Sequence, residues 1–205
     1  MTVVNFNQII EKLESHQTWV DSLGIQGEKL NLDEVDLRNV DLSKYTLNQS
    51  SITGCIFDGI DLQNKDISSA ILCSSSFKFA NLEGSDFCKS NVSYADYTNA
   101  NIKCARLADC ECVESVFAKA NFSDANLVAA LFDETDFREA TLNNADVRLA
   151  TFEGVMLKGA RLAGLRGLNE AFIKSINIGT IEDPIMLRDE EARQWLLDQA
   201  TGEQD

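Results

Sequence analysis

The chain has 205 residues, 33 Asp and Glu against 18 Lys and Arg, and a formal net charge of −15. That excess excludes a basic face for nucleic-acid phosphates and disfavours docking on an anionic membrane surface. One Pro, eleven Gly and 44% hydrophobic residues exclude a disordered composition and leave enough apolar material for one domain with a real core.

No apolar run reaches the roughly eighteen residues of a membrane-spanning helix. The first residues lack the basic start and apolar core of a signal peptide. The cytoplasm is the expected compartment. The six Cys (Cys55, Cys73, Cys88, Cys104, Cys110, Cys112) are expected as reduced thiols there.

Residues 1–31 form the first unit. Phe6, Ile9, Ile10 and Leu13, then Trp19, Val20 and Leu23, follow helical spacing. This predicts an amphipathic helix over about 6–22, with Asn5 as its N-cap and Gly24 as its stop. The helix is expected to cover an open β-edge, which would otherwise template aggregation. His16, the only His, lies in it, and a structural role there outweighs that of a base or ligand.

From Leu32 to Leu162 every fifth residue is apolar, 27 positions in all, and 20 of them are Leu or Phe. At the composition of this chain, chance gives such a series on the order of one time in a billion or less. Two residues before each centre, 20 of 27 are Ala, Ser, Cys or Thr; one residue before, 14 of 27 are Asp or Asn. A period of five fits neither helix nor strand. It fits a coil that turns a corner every five residues and returns after twenty, with successive coils hydrogen-bonded about 4.8 Å apart in a rod on the order of 30 Å long.

The unit, as in Ala80-Asn81-Leu82-Glu83-Gly84, resembles the pentapeptide-repeat family, whose motif is written A(D/N)LXX. The resemblance spans residues 30–164. It implies an all-β solenoid: a right-handed quadrilateral β-helix of about 6–7 coils, with short α-helical caps expected at both ends. The unit boundaries are 1–31, 32–164 and 165–205. The stretch His16, Trp19, Gly24, Gly27, Leu30-Asn31-Leu32 resembles the segment that leads into the repeats of many such proteins.

Sorting the centres by twenty gives four inner columns. One reads Leu37, Phe57, Phe77, Tyr97, Phe117, Phe137, Leu157, an aromatic stack along the axis. Val35, Val40, Tyr45, Ile60 and Val155 are large where small is expected, so the first coils are expected to be wider or distorted. Lys65 is charged there and is expected to snorkel to water. No frame break interrupts the series, unlike many members of the quinolone-resistance branch, whose loops matter for activity.

After Leu162 the period fades, with Ala171 and Phe172 as a last, imperfect unit. Ile173, Ile176, Ile178, Ile181, Ile185, Met186 and Leu187 are too apolar for a free tail. Asp189 is expected to cap a helix over Glu190–Ala200. This segment should cover the far end of the rod or join two rods as a homodimer.

Site chemistry is sparse. There is no P-loop, GxGxxG, HExxH or GxSxG, and no catalytic, cofactor-binding or metal-ligating residue is assigned. Cys110 and Cys112 occupy inward positions without a second pair for zinc; Cys55 is likewise inward. Cys73, Cys88 and Cys104 are outward, and nothing marks them as activated. Eight Asp (36, 41, 61, 66, 86, 96, 136, 146) stand on the motif's Asp/Asn position, where side-chain to backbone bonds stabilise turns.

The candidate partner-binding residues are outward apolar ones: Ile71, Val113 and Leu131 on one face, Tyr94 at its edge, Ile56 and Val116 on the next face, and Phe79. Large exposed apolar clusters mark partner sites. The expected function is a non-enzymatic protein–protein interaction module. The alternative, implied by the resemblance, is an acidic mimic of DNA that binds a type II topoisomerase such as gyrase. Residues 32–164 hold 20 acids and 12 bases, so much of the chain's acidity follows from the turn Asp and from an acidic C-terminal segment.

Overall fold

The computed structural model describes residues 6–202, and in it the five-residue period becomes the side of a coil. Residue i pairs in parallel with residue i+20. Four ladders run this way: from Asn31 through Ile71 to Thr151, from Asp36 through Ser76 to Met156, from Asp61 through Asn101 to Arg161, and from Asp66 through Arg106 to Arg166. The chain is therefore a solenoid. Strands β1 (Asn31–Asp33), β2 (Ser51–Thr53), β3 (Leu131–Asp133) and β4 (Thr151–Glu153) all lie on the first ladder; β5 (Val155–Met156) ends the second.

Each side closes in a turn. The small residue's N–H donates to the carbonyl of the preceding centre, as from Ala80 to Phe77 (3.1 Å) and from Ala120 to Phe117 (3.0 Å). The residue two after the centre takes positive φ, including Phe79 (59°), Tyr94 (63°) and Lys119 (62°), the sign that a type II turn requires at its third position. All eight motif Asp accept the N–H two residues on through Oδ1, at 2.9–3.2 Å. Their acidity is turn chemistry.

Inside, Phe57, Phe77, Tyr97, Phe117 and Phe137 stack at centroid separations of 4.4, 4.7, 5.0 and 5.3 Å. Small residues fill the corners, because a second large side chain per side would overpack the interior. Hydroxyls at corners are bonded, as burial demands: Ser75, Ser115 and Thr135 donate to the carbonyls of Ile52, Val92 and Cys112. Among the described residues two buried polar side-chain atoms have no hydrogen-bond partner, the Tyr97 hydroxyl and Asn143 Oδ1, and an orphaned buried group costs about 1–3 kcal/mol. Tyr97→Phe, which completes the Phe column, is expected to raise the urea midpoint by the equivalent of about 1 kcal/mol; an unchanged or lower midpoint contradicts the orphan assignment.

Lys65 does not reach for water. Its Nζ donates to the carbonyls of Leu42, Ser43 and Tyr45 at 2.9–3.0 Å, one coil away. The bulky Tyr45 stands where a small corner residue would be, and the ammonium satisfies the carbonyls around it with all three of its donors.

At the N-terminal end, α1 (Phe6–Asp21) buries Ile9, Leu13 and His16 against the first coil. Asn5 lies outside the described residues. Gly24 (φ 85°) ends the helix, its N–H donating to Trp19 O. His16 is fully buried: Nδ1 accepts the Leu30 N–H and Nε2 donates to Asn48 O, both at 3.1 Å. This assigns the Nε2–H tautomer. Burial, with the nearby Lys29 charge adding to it, lowers its pKa against the opposing bond to Asn48.

The fold thus holds His16 neutral, while the unfolded chain takes up the proton first. Its contribution is complete above about pH 6.5, the ordinary histidine value, and is lost as pH falls through the lower folded-state value. The thermal midpoint is expected to drop as pH falls below about 6.5. In His16→Gln this step should vanish; a step of equal size in the variant contradicts the assignment.

At the other end the register slips by one. Gly167 occupies a centre without a side chain, so Leu168 turns inward instead and is buried. Strand β6 (Phe172–Ile173) then pairs at an offset of 21, Thr151 with Phe172 and Phe152 with Ile173. Ile173, not Phe172, is the inward residue of the last unit, and Phe172 is exposed. Beyond it β7 (Ser175–Asn177) pairs in parallel with β5 and antiparallel with β8 (Met186–Arg188).

Ile176 is buried as expected, but Ile181, Ile185 and Met186 are exposed, because the chain turns out of the rod between β7 and β8. Helix α2 (Asp189–Thr201) buries Ala192 and Leu196. Its N-cap is Arg188, with no side-chain bond; Asp189 sits inside the first turn with Glu190 and Glu191, where carboxylates suit the helix dipole.

Candidate interaction surface

The first ladder forms a continuous face made of residues 31–34, 51–54, 71–74, 91–94, 111–114, 131–134 and 151–154. Ile71 (44% exposed) and Leu131 (37%) project from one column of it, three coils or about 14 Å apart. Asn91 and Glu111 fill the column between them and hydrogen-bond to each other. Val113 is half-buried on the same face. Tyr94 (57% exposed) stands at its edge. Ile56 and Val116 lie on the second face, half-buried, each between polar neighbours on its ladder. Phe79 (67% exposed) sits at the far edge of that second face. The structure brings Ile71, Tyr94, Val113 and Leu131 onto one surface and leaves Ile56, Val116 and Phe79 off it.

That surface has a second property, invisible in the total charge. It carries Asp33 and Glu34 at its start and Glu111, Glu114, Asp133, Glu134 and Glu153 toward its other end, and no Lys or Arg before Lys174 on the coil that follows. The other three faces together carry thirteen acids and eleven bases over the same coils. All eight turn Asp are on those three faces. So are the ion pairs Arg38–Asp36, Lys78–Asp96, Arg106–Asp86, Lys119–Glu139, Arg138–Asp136 and Arg148–Asp146. The Arg148 guanidinium, donating to Asp146, holds that carboxyl below the usual range. Among the described residues only Glu153 of the first face has an ion pair, with Lys174 (2.6 Å). Asp, Glu, Lys and Arg sorted by twenty, as the apolar centres sort, expose the acidic face.

Other groups offer little chemistry. All six Cys are free. Cys55, Cys110 and Cys112 are buried, and burial raises the Cys55 thiol to about 11. Burial likewise raises the half-buried Cys73 and Cys88, which leaves them as thiols at neutral pH. Among the described residues no group of three or more His, Cys, Asp or Glu is placed to hold a metal ion, and no helix is long and apolar enough to cross a membrane.

The family model for pentapeptide repeats matches in eight copies, over residues 31–68 and 130–164, and the twenty-residue ladder runs unbroken between the two stretches. Over those residues this chain carries pentapeptide repeats. No curated protein matches it.

Solved structures similar to this chain include a pentapeptide repeat protein (Rfr23) from the cyanobacterium Cyanothece 51142, 20% identical over 54% of this chain and 85% of that one, with a TM-score of 0.28. Another is full-length QnrB1, a plasmid-mediated fluoroquinolone resistance protein, 17% identical over 68% and 88%, TM-score 0.32. A third is a pentapeptide repeat protein from the Arabidopsis thaliana thylakoid lumen, 18% identical over 74% and 90%, TM-score 0.25.

Proposed function

We propose that this chain is a non-enzymatic protein–protein interaction module of about six to seven coils, closed by helical caps of residues 1–31 and 165–205, whose partner-binding surface is the first face. The observation that carries this reading is the placement of Ile71, Tyr94 and Leu131, large and exposed, on one unbroken ladder. Exposed apolar groups gathered on one surface are what partner sites present. A rigid rod pre-orders that surface, which lowers the entropic cost of association.

The test is capture from native extract by the immobilised protein. A saturable partner is expected, and the triple change Ile71→Ser, Tyr94→Ser, Leu131→Ser should abolish its capture while the thermal midpoint stays within a few degrees. Capture unaffected by the triple change would move the site elsewhere. A homodimer, where one forms, is assigned to the C-terminal segment, where Ile181, Ile185 and Met186 are exposed.

Mimicry of duplex DNA fits the charge pattern less well. A duplex carries its charge around the whole circumference, whereas the surplus here is on one face of four. Micromolar protein is expected to leave gyrase supercoiling unchanged; inhibition in that assay would reverse the preference.

A further inference from the structure

We infer that the first face receives a cationic, amphipathic segment of a partner protein, apolar at one end and rich in Lys or Arg at the other. This rests on the interaction reading above and names its partner's chemistry. The face is divided along the rod. Its coils 51–54, 71–74 and 91–94 carry no charge and present Ile71 and Tyr94. The next two, 111–114 and 131–134, present Glu111, Glu114, Asp133 and Glu134 with no Lys or Arg on either coil; Lys174, two coils further along the ladder, is taken up by Glu153.

The fold does not explain these four acids. Glu114, Asp133 and Glu134 stand after their centres, away from the motif's Asp/Asn position, and Glu111 stands on it with a side chain that bonds to Asn91 rather than closing a turn. Elsewhere on the rod, acids are matched by bases on their own face. Here the complement is missing, so an oppositely charged partner group supplies it; like-charged or uncharged partners leave it unmatched.

The centres of the apolar and acidic parts lie two and a half coils, or about 12 Å, apart. That spacing sets the polarity of the bound segment: apolar side chains over Ile71 and Tyr94, cationic ones over the 111–134 end.

The probe is a labelled synthetic peptide of about twelve residues, Leu and Phe in one half, Lys and Arg in the other. Fluorescence anisotropy should show saturable binding to the full chain that weakens as salt rises, since exposed charge pairs are screened. The variant Glu111→Gln, Glu114→Gln, Asp133→Asn, Glu134→Gln is expected to bind at least tenfold more weakly. A control with four acids neutralised on the other faces (Asp58→Asn, Asp109→Asn, Asp124→Asn, Glu139→Gln) should bind as the parent does.

Equal losses in both variants, or equal binding of a peptide whose apolar half is replaced by Ser, would show unspecific charge attraction and overturn the proposal. So would binding that disappears as the protein dimerises through this face. If native capture is lost with Ile71→Ser, Tyr94→Ser, Leu131→Ser but the four-acid variant binds the peptide unchanged, the interaction reading stands and the cationic partner falls. If neither capture nor peptide binding responds to any of these changes, both fall.

Discussion

Phe117→Ala is expected to cost about 3–5 kcal/mol, the range for a large aromatic lost from a packed core. Phe117 is fully buried. It stacks on Tyr97 and Phe137 at 5.0 and 5.3 Å and meets Phe122 edge-on at 5.0 Å. In a solenoid each coil touches only its neighbours, so a cavity in the middle weakens the coupling between the two halves. The unfolding transition should lose cooperativity as well as shift. The exposed Phe79 is the internal comparison: Phe79→Ser should stay within about 0.5 kcal/mol. Urea titration followed by circular dichroism checks both. Equal effects at the two Phe would mean that the twenty-residue sorting places the rings wrongly.

Gly27→Ala is expected to release α1 from the rod. A Cβ at Gly27 would lie 2.2 Å from Ser15 O and 2.7 Å from Trp19 N, both backbone atoms, and φ there is 74°. Neither contact can be relieved by a side-chain rotation. The strain alone is on the order of 1–3 kcal/mol, and the close approach adds to it. Detachment would expose Leu13 and His16 and uncover the β1 edge, a template for aggregation. Limited proteolysis should therefore cleave the variant between α1 and β1 while the rod survives. The same protease pattern as the parent would show that the helix docks without that close approach. Gly59→Ala is the control: its Cβ meets nothing within 4 Å, so it carries the positive-φ cost without the clash.

Much of the fold can be read from one period. Leu or Phe every fifth residue, a small residue two before and Asp or Asn one before dictate the ladder, the inner columns and the turns, because each of those positions has one physical task. The reading fails where a residue has two. Lys65 is both long and charged, and whether it goes to water or to carbonyls depends on the room left by Tyr45, which only packing decides. Gly167 keeps the five-residue count but supplies no side chain, so Leu168 takes its place and everything after it slips by one.

The candidate surface was legible only in part. Its apolar members Ile71, Tyr94 and Leu131 stand out as exceptions to a polar pattern. Its acids do not, because an Asp on the motif position and a Glu beside it look alike in a net charge. They differ in their bonds: Asp86 accepts the Cys88 N–H and the Arg106 guanidinium, whereas Glu114 and Glu134 have no ion pair among the described residues. The acidity of this chain thus has two origins on the rod, turn chemistry on three faces and an unbalanced strip on the fourth.

The urea midpoint of Glu111→Gln, Glu114→Gln, Asp133→Asn, Glu134→Gln tests that division most directly. If these acids serve a partner and not the fold, removing four like charges from one face should leave the midpoint unchanged or raise it slightly. A loss approaching that of Phe117→Ala would mean that the strip holds the rod together, and would contradict the account.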